Sequence, residues 1–363
     1  MAMPLKGNAI HAGRRGNVAI GVLVAVALFV AGLLWAKWLP YAGKAATARR
    51  THHWSGSSVL TVGGVHPGDR PAWHAAATFF HAYVASIWPA LVAALLISAS
   101  VQALLPRPWL PRVLNRRAPL SSALAGGVAG MPSMMCTCCA APVAVTLRRN
   151  GVTPAAAIAY WLGNPLLNPA VLVFLLFVAP WQWSLTRVVV GIATVLGVGA
   201  AVGLLSRPDG GVPAPARAAA PSADDESGGR PRLFVRALLW LVLFLLPEYA
   251  VLVLVVGAFR GLLLTLGQPA HRGLLLGLLL VVVVAIAGTL MVIPTAGEIP
   301  ILQGLALLGA SSGTIGALLI TLPAVSVPGA AMVARSFGWK ATATATGIVV
   351  AAGILGAVVL SLL

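Results

Sequence analysis

Three cysteines fall within four positions, Cys136, Cys138 and Cys139, and the chain has no others. Thiols are soft ligands that suit Cu(I), Zn or a trivalent arsenic-like centre. Cysteines this close in sequence bridge poorly as disulfides. Three of them make no disulfide framework. The spacing sets two geometric conditions. Cys136 and Cys139, at i and i+3, share a face if the backbone is helical. Cys136 and Cys138 converge only if it is extended. A buried cysteine also serves as a small hydrophobe, but a C-x-C-C cluster flanked by prolines points to ligation.

The surrounding stretch, 130–169, reads GMPSMMCTCCAAPVAVTLRRNGVTPAAAIAYWLGNPLLNP. Pro132 and Pro142 remove backbone donors and clash one turn back, so a helix break is expected around the thiols. At membrane depth such a break is tolerated only where it faces protein or a watery cavity. Asn164 and Asn168 sit at i and i+4 beside Pro165 and Pro169. They share a face if the helix survives the prolines, and in an apolar span they should point at a partner or a substrate. Pro294, Gly297 and Pro300 predict a second break with Glu298 inside it, and Pro323 with Ser326 follows further on. Glu298 and Glu248 are the acids that stand outside loops and linker. Carboxylates are costly in hydrocarbon, so both are candidates for proton coupling.

The elements that carry these residues follow from composition. The 363-residue chain is 59% hydrophobic and 9% charged; soluble domains run at roughly 45–50% and about 25%. Mean hydropathy is +0.95. A water-soluble enzyme, a disordered chain and a collagen are excluded. No Walker loop, His/Cys zinc pattern or nucleophile elbow is present, so neither an enzyme nor a cofactor is expected. The apolar runs suit crossings of about 20 residues and lack the alternation of a barrel. The predicted fold is an all-α polytopic membrane protein with about 8–10 membrane segments.

Five regions follow. Residues 1–36 are a tail and an extra, uncleaved membrane helix, and 37–74 a polar extracytoplasmic loop. That loop bears His52, His53, His66 and His74 without compact ligand spacing, so it reads as an exposed loop. Residues 75–205 and 233–363 are repeat units. Between them, 206–232 is a Pro/Ala/Gly-rich cytoplasmic linker whose composition predicts disorder. An offset of 158 aligns Pro89 with Pro247, Gly130 with Gly288, Thr137 with Thr295, Pro142 with Pro300, Gly151 with Gly309 and Pro165 with Pro323. It sets the thiols opposite 294–297 and Asn168 opposite Ser326.

The net charge of +17 comes from 24 Lys+Arg against 7 Asp+Glu. It reads as loop charge rather than a nucleic-acid surface. If 118–147 and 273–309 each enter and leave on one side, 16 of the 24 cations lie inside and 8 outside. If both cross fully, the split is 12 to 12. The positive-inside rule favours the first, with a cytoplasmic N-terminus. Each unit then has an odd number of crossings, so the second is inverted, as in many secondary transporters.

The C-T-C-x-x-x-P element at Cys136–Pro142, the later N-P pairs, and P-x-x-G-E-x-P with L-P-A-x-S in the second half resemble the bacterial predicted-permease family. That family includes the organoarsenical efflux permeases. The resemblance runs from about residue 75 to the C-terminus. It implies a cytoplasmic-membrane permease and, for the arsenical branch, export of trivalent organoarsenicals by thiol ligation. Cys136 and Cys138 fall on the family's paired cysteines and Pro142 on its proline. Cys139, the first helix and the His-bearing loop lie outside the pattern. The expected protein is a secondary permease for a small soft metal, a metalloid or an anion. Cys136, Cys138 and Cys139 ligate; Asn164, Asn168 and Ser326 position; Glu298 and Glu248 couple to protons. Two other readings are a membrane thiol redox protein and a small-anion permease with structural cysteines. Its expected partners are that cargo and the lipid bilayer, and a homo-oligomer is compatible with the sequence.

Overall fold

The computed structural model describes residues 7–53, 60–104, 109–206, 230–265, 274–307 and 309–363. Among them every regular element is a helix. The first part of the chain holds α1 (Gly7–Leu33), a π-turn (Leu34–Trp38) and α2 (Leu39–Thr51). The first unit holds α3 (Trp73–Ala103), α4 (Trp109–Leu114), α5 (Pro119–Gly130), α6 (Thr137–Arg149), α7 (Pro154–Leu166), α8 (Pro169–Val178) and α9 (Trp181–Leu205). The second holds α10 (Arg230–Thr265), α11 (Leu274–Leu290), α12 (Glu298–Leu307), α13 (Ser312–Ala324), α14 (Val327–Phe337) and α15 (Trp339–Leu362). The linker predicted at 206–232 lies outside the described residues from 207 to 229.

Several helix boundaries keep the offset of the sequence repeat. α7, α8 and α9 start at 154, 169 and 181, and α13, α14 and α15 at 312, 327 and 339, the same offset of 158 each time. The turns before α7 and α13 place Gly151 and Gly309 at φ of 87° and 84°, a left-handed conformation open to glycine at little cost. Within the first unit α5 packs on α7 and α9; within the second α11 packs on α13 and α15. Equivalent helices meet across the units, α3 along α10 and α9 along α15. Apolar spans gain nothing from hydrophobicity alone and pack through small residues. A Cβ on Gly356 of α15 would stand 2.7 Å from the Gly316 carbonyl of α13.

Large apolar side chains also cover the outside. Leu23, Val128, Leu176, Leu243 and Val251 are all more than half exposed. A water-soluble surface does not carry so much apolar area; a bilayer accounts for it. By length and composition five helical stretches can cross a membrane: Ile20–Thr51, Trp73–Ala103, Pro154–Val178, Trp181–Leu205 and Trp339–Leu362. The pair α13 and α14, bent by 52°, makes a sixth if counted as one span. The chain is a multi-pass membrane protein.

Two departures from the sequence reading matter for the site. The first helical stretch continues past residue 36 to Thr51, through part of the predicted polar loop. Pro40, the breaker there, sits in the first turn of α2, where its missing donor is harmless. The π-turn just before it lets Leu39 N–H reach back to the Leu34 carbonyl. The second departure concerns charge. Lys37, Arg187 and Arg260, counted above as outer loop cations, lie in helical turns and are at most 5% exposed. Without them the outer count of 8 falls to 5 against 16, while the fully crossing alternative becomes 10 to 11.

Candidate functional site: two helix breaks around one cavity

The first break lies between α5 and α6. A short 3-10 turn over Met131–Ser133 carries Pro132, and Met134 follows at φ 49°. Cys136 is extended at the N-cap of α6 (φ −74°, ψ 166°), while Cys138 and Cys139 lie in its first turn. Both convergence conditions are therefore met at once. Cys136 Sγ lies 3.2 Å from Cys138 Sγ and 3.3 Å from Cys139 Sγ. All three sulfurs lie within 4.8 Å of one another, all buried and none in a disulfide. A disulfide would need about 2.05 Å. They sit at the electropositive end of α6, the end that attracts anions. Tyr83 of α3 approaches Cys138 Sγ with its hydroxyl at 3.0 Å.

Pro142 does not break the helix: α6 runs through it. The interruption is complete by Thr137, and Pro142 only leaves the Cys138 carbonyl without its i+4 donor. Thr137, between the thiols, ties the break to its surroundings. Its hydroxyl donates to the Pro323 carbonyl at the end of α13 (2.6 Å), and its own carbonyl accepts from Trp161 Nε1 (2.8 Å).

The second break lies between α11 and α12. Gly297 N–H donates to the Pro294 carbonyl at 2.8 Å, and Ala296 stands at φ 67°. Pro300 falls in the first turn of α12, where helices tolerate proline. Glu298 opens α12, at the helix end that favours carboxylates. Its Oε1 pairs with Arg187 Nη2 at 2.8 Å, both residues buried. Arg187 also donates from Nη2 to the Pro165 carbonyl (2.8 Å) and from Nε to the Leu166 carbonyl (3.1 Å). One guanidinium thus holds the end of α7 and the start of α12 together. Thr295, the counterpart of Thr137, accepts from Lys37 Nζ at 3.0 Å, and Lys37 donates also to the Tyr41 hydroxyl at 3.1 Å.

The two breaks and the two proline-broken helices meet. Cys136, Pro165, Pro294, Thr295, Glu298 and Pro323 line one cavity of about 10 Å³. That is room for about one water.

The remaining predicted residues separate by role. The helix does not survive Pro165 and Pro169: α7 ends at Leu166, and Asn168 becomes the N-cap of α8. The two amides therefore do not act as one face. Asn164 is consumed in bracing. Its Oδ1 accepts from the Ser133 hydroxyl and from Met135 N–H, and its Nδ2 donates to the Tyr160 carbonyl. Asn168 Oδ1 caps Ala170 and Val171 N–H, but its buried Nδ2 has no partner. At the equivalent position Ser326 Oγ is also buried without a partner. Glu248 lies on α10, with its side chain outside the described residues. The histidines do not gather: His52 Nδ1 meets the Phe177 carbonyl at 3.2 Å, and His66 N–H donates to Asp69. Among the described residues the cysteine trio is the one group of three or more candidate metal ligands.

Sequence reasoning missed Lys37, Arg187 and Tyr83. Each had a signal. Lys37 and Arg187 follow or enter apolar runs next to tryptophans, and a mid-span tyrosine hydroxyl needs a polar partner.

A family model described as a predicted permease matches residues 72–209, which include the whole thiol break. The chain is 39% identical over 326 residues to the UPF0718 protein YraQ of Escherichia coli strain K12, covering 90% of each chain. No solved structure matches. An all-helical membrane protein with this likeness along nine-tenths of its length belongs to the UPF0718 family of predicted permeases.

Proposed function

We propose that this permease is a secondary transporter that exports a small soft metal or metalloid species, trivalent organoarsenicals foremost, through the paired breaks. The observation that carries the reading is the mutual approach of three buried thiols, at 3.2 and 3.3 Å, with Cys136 on a cavity whose far wall is the second break. A trivalent arsenic with one organic group takes two thiolates. Each As–S bond forms as an arsenic-bound hydroxyl leaves as water with the thiol's proton. The third sulfur then bonds arsenic as one of the first two lets go, its proton passing to the released sulfur, so the cargo passes by ligand exchange.

Asn168 Nδ2, Ser326 Oγ and Arg187 Nη1 are buried polar atoms without partners at the breaks. Unpaired buried donors are uncommon and suit a ligand or a second conformation. Asn168 and Ser326 accordingly position the cargo, while Asn164 holds the break in shape. Glu298 is the proton site. Protonating it releases Arg187, and with it the end of α7. Glu248 is the second coupling candidate.

The two units run in opposite directions across the bacterial cytoplasmic membrane, with the N-terminus inside. The loop charge of 16 to 5 supports this orientation.

The test replaces Cys136, Cys138 and Cys139 together by serine in a strain that depends on the protein for resistance to trivalent organoarsenicals. Resistance should fall to that of the deletion strain, with protein levels in the membrane unchanged. Resistance equal to the parent would sink the thiol mechanism.

A further inference from the structure

A second cavity, of about 320 Å³, lies between the first helical stretch and the second break. Lys37, Tyr41 and Lys44 line it, with Trp35, Trp88 and Thr295. Spacings of four and three residues put Lys37, Tyr41 and Lys44 on one helix face. Lys44 is exposed at the rim, and Lys37 is 5% exposed at the floor. Tyr41 stands between them, its ring centre 5.1 Å from one ammonium and 6.0 Å from the other. The π-turn carries Lys37, and such insertions recur at functional sites.

The charge of Lys37 is the unusual feature. Its hydrogen-bond partners are two neutral oxygens, Tyr41 Oη and Thr295 Oγ1. Among the described residues no carboxylate lines the cavity. Glu298, the buried acid nearby, is taken by Arg187. The other ionisable groups close enough to act on Lys37 are the thiols Cys136 and Cys139 and the Tyr41 hydroxyl. A buried ammonium without a carboxylate partner is costly in an apolar protein and is characteristically functional. Pro294 and Thr295 wall both this cavity and the small one at Cys136, so the two adjoin.

We propose that this cavity binds a small oxyanion, with Lys37 as its ligating ammonium on the floor and Lys44 drawing it in at the rim. The site goes beyond the thiol reading and needs no metalloid. Its occupant is either a free oxyanion or the phosphate of an anionic lipid, since Trp35 and Trp88 at the mouth are each 49% exposed.

The experiment measures thermal stabilisation of the full chain by phosphate and by sulfate, at constant ionic strength. It is done in neutral detergent and in nanodiscs of phosphatidylcholine or phosphatidylglycerol. A saturable response is expected in detergent and in phosphatidylcholine. Lys37→Met should weaken it about tenfold or more, as for a lost charged hydrogen bond; Lys37→Arg should retain it. A response that vanishes in phosphatidylglycerol discs assigns the site to the lipid phosphate, and one that persists assigns it to the free anion. Lys44→Met changes an exposed residue and serves if Lys37→Met does not fold. It should weaken binding about threefold, as a rim charge does. No saturable response in detergent and phosphatidylcholine, or unchanged affinity in either methionine variant, would overturn the proposal. The Cys136, Cys138 and Cys139 to serine variant should bind the anion as the parent does. Loss of arsenical resistance and loss of anion binding are therefore separable failures.

Discussion

At the first break, around the three thiols, the side chains that brace the backbone are neutral: Thr137, Asn164 and Trp161. At the second they are charged, with Glu298 held by Arg187 and Thr295 held by Lys37. Each break holds a non-glycine residue at positive φ, Met134 and Ala296, although the two are not at matched positions of the 158-residue offset. What differs is the charge of the support. The first break is braced by neutral groups, Asn164 on Ser133 and Met135 and Trp161 on Thr137 from its own unit, with Trp38 on the Pro132 carbonyl and Thr137 on the Pro323 carbonyl reaching outside it. The second is braced by charged groups, Arg187 from α9 and Lys37 from the first helical stretch. A soft ligand set needs a fixed frame that leaves its sulfurs free, and neutral hydrogen bonds supply one. A charged brace responds to a change of charge where a neutral one does not, so the second break is the side on which the proposed coupling would act.

The largest expected effect tests the charged side. Arg187→Ala or Glu298→Ala strands a buried charge and should cost about 3–5 kcal/mol, read as thermal unfolding in detergent. Arg187→Met with Glu298→Leu removes both charges and should cost clearly less. A double variant as damaged as the singles would break the contrast between charged and neutral supports. On the neutral side, Asn164→Ala should cost about 2–3 kcal/mol, because it leaves Met135 N–H buried without an acceptor and removes the bonds to Ser133 and the Tyr160 carbonyl, although Ser133 keeps the Gly130 carbonyl. Asn168→Ala removes a helix cap and should cost about 1 kcal/mol. Equal losses would mean that Asn164 is no brace. The smallest effect concerns the backbone. Ala296→Gly should stabilise by about 0.4–1 kcal/mol, since glycine accepts positive φ freely. A loss of stability at that position would show that the second break has another conformation.

Much of this was legible in the residues. Prolines at matched positions carried the duplication, because proline fixes backbone shape where leucine and valine only fill volume. The convergence of Cys136 with both other cysteines followed from spacing plus a break. The break's exact form did not, since Pro142 sits far enough into α6 for the helix to pass through it. Arg187 was read as loop charge because its partner Glu298 is remote in sequence, and only the fold brings a cation in α9 to the second break. Lys37 was lost for a similar reason: Lys-Trp-Leu-Pro-Tyr looks like a span ending, and a π-turn before a proline leaves no clear periodicity. Asn164 and Asn168 shared a spacing but not a role, because the prolines beside them ended the helix between them.

The cavity where the breaks meet has a consequence for transport. At about 10 Å³ it admits no hydrated ion and no continuous file of water. Thr137 to Pro323, Arg187 to Glu298 and Lys37 to Thr295 latch its walls together from three directions. On the proposed reading, a cargo has to replace these latches before it can pass between the two breaks.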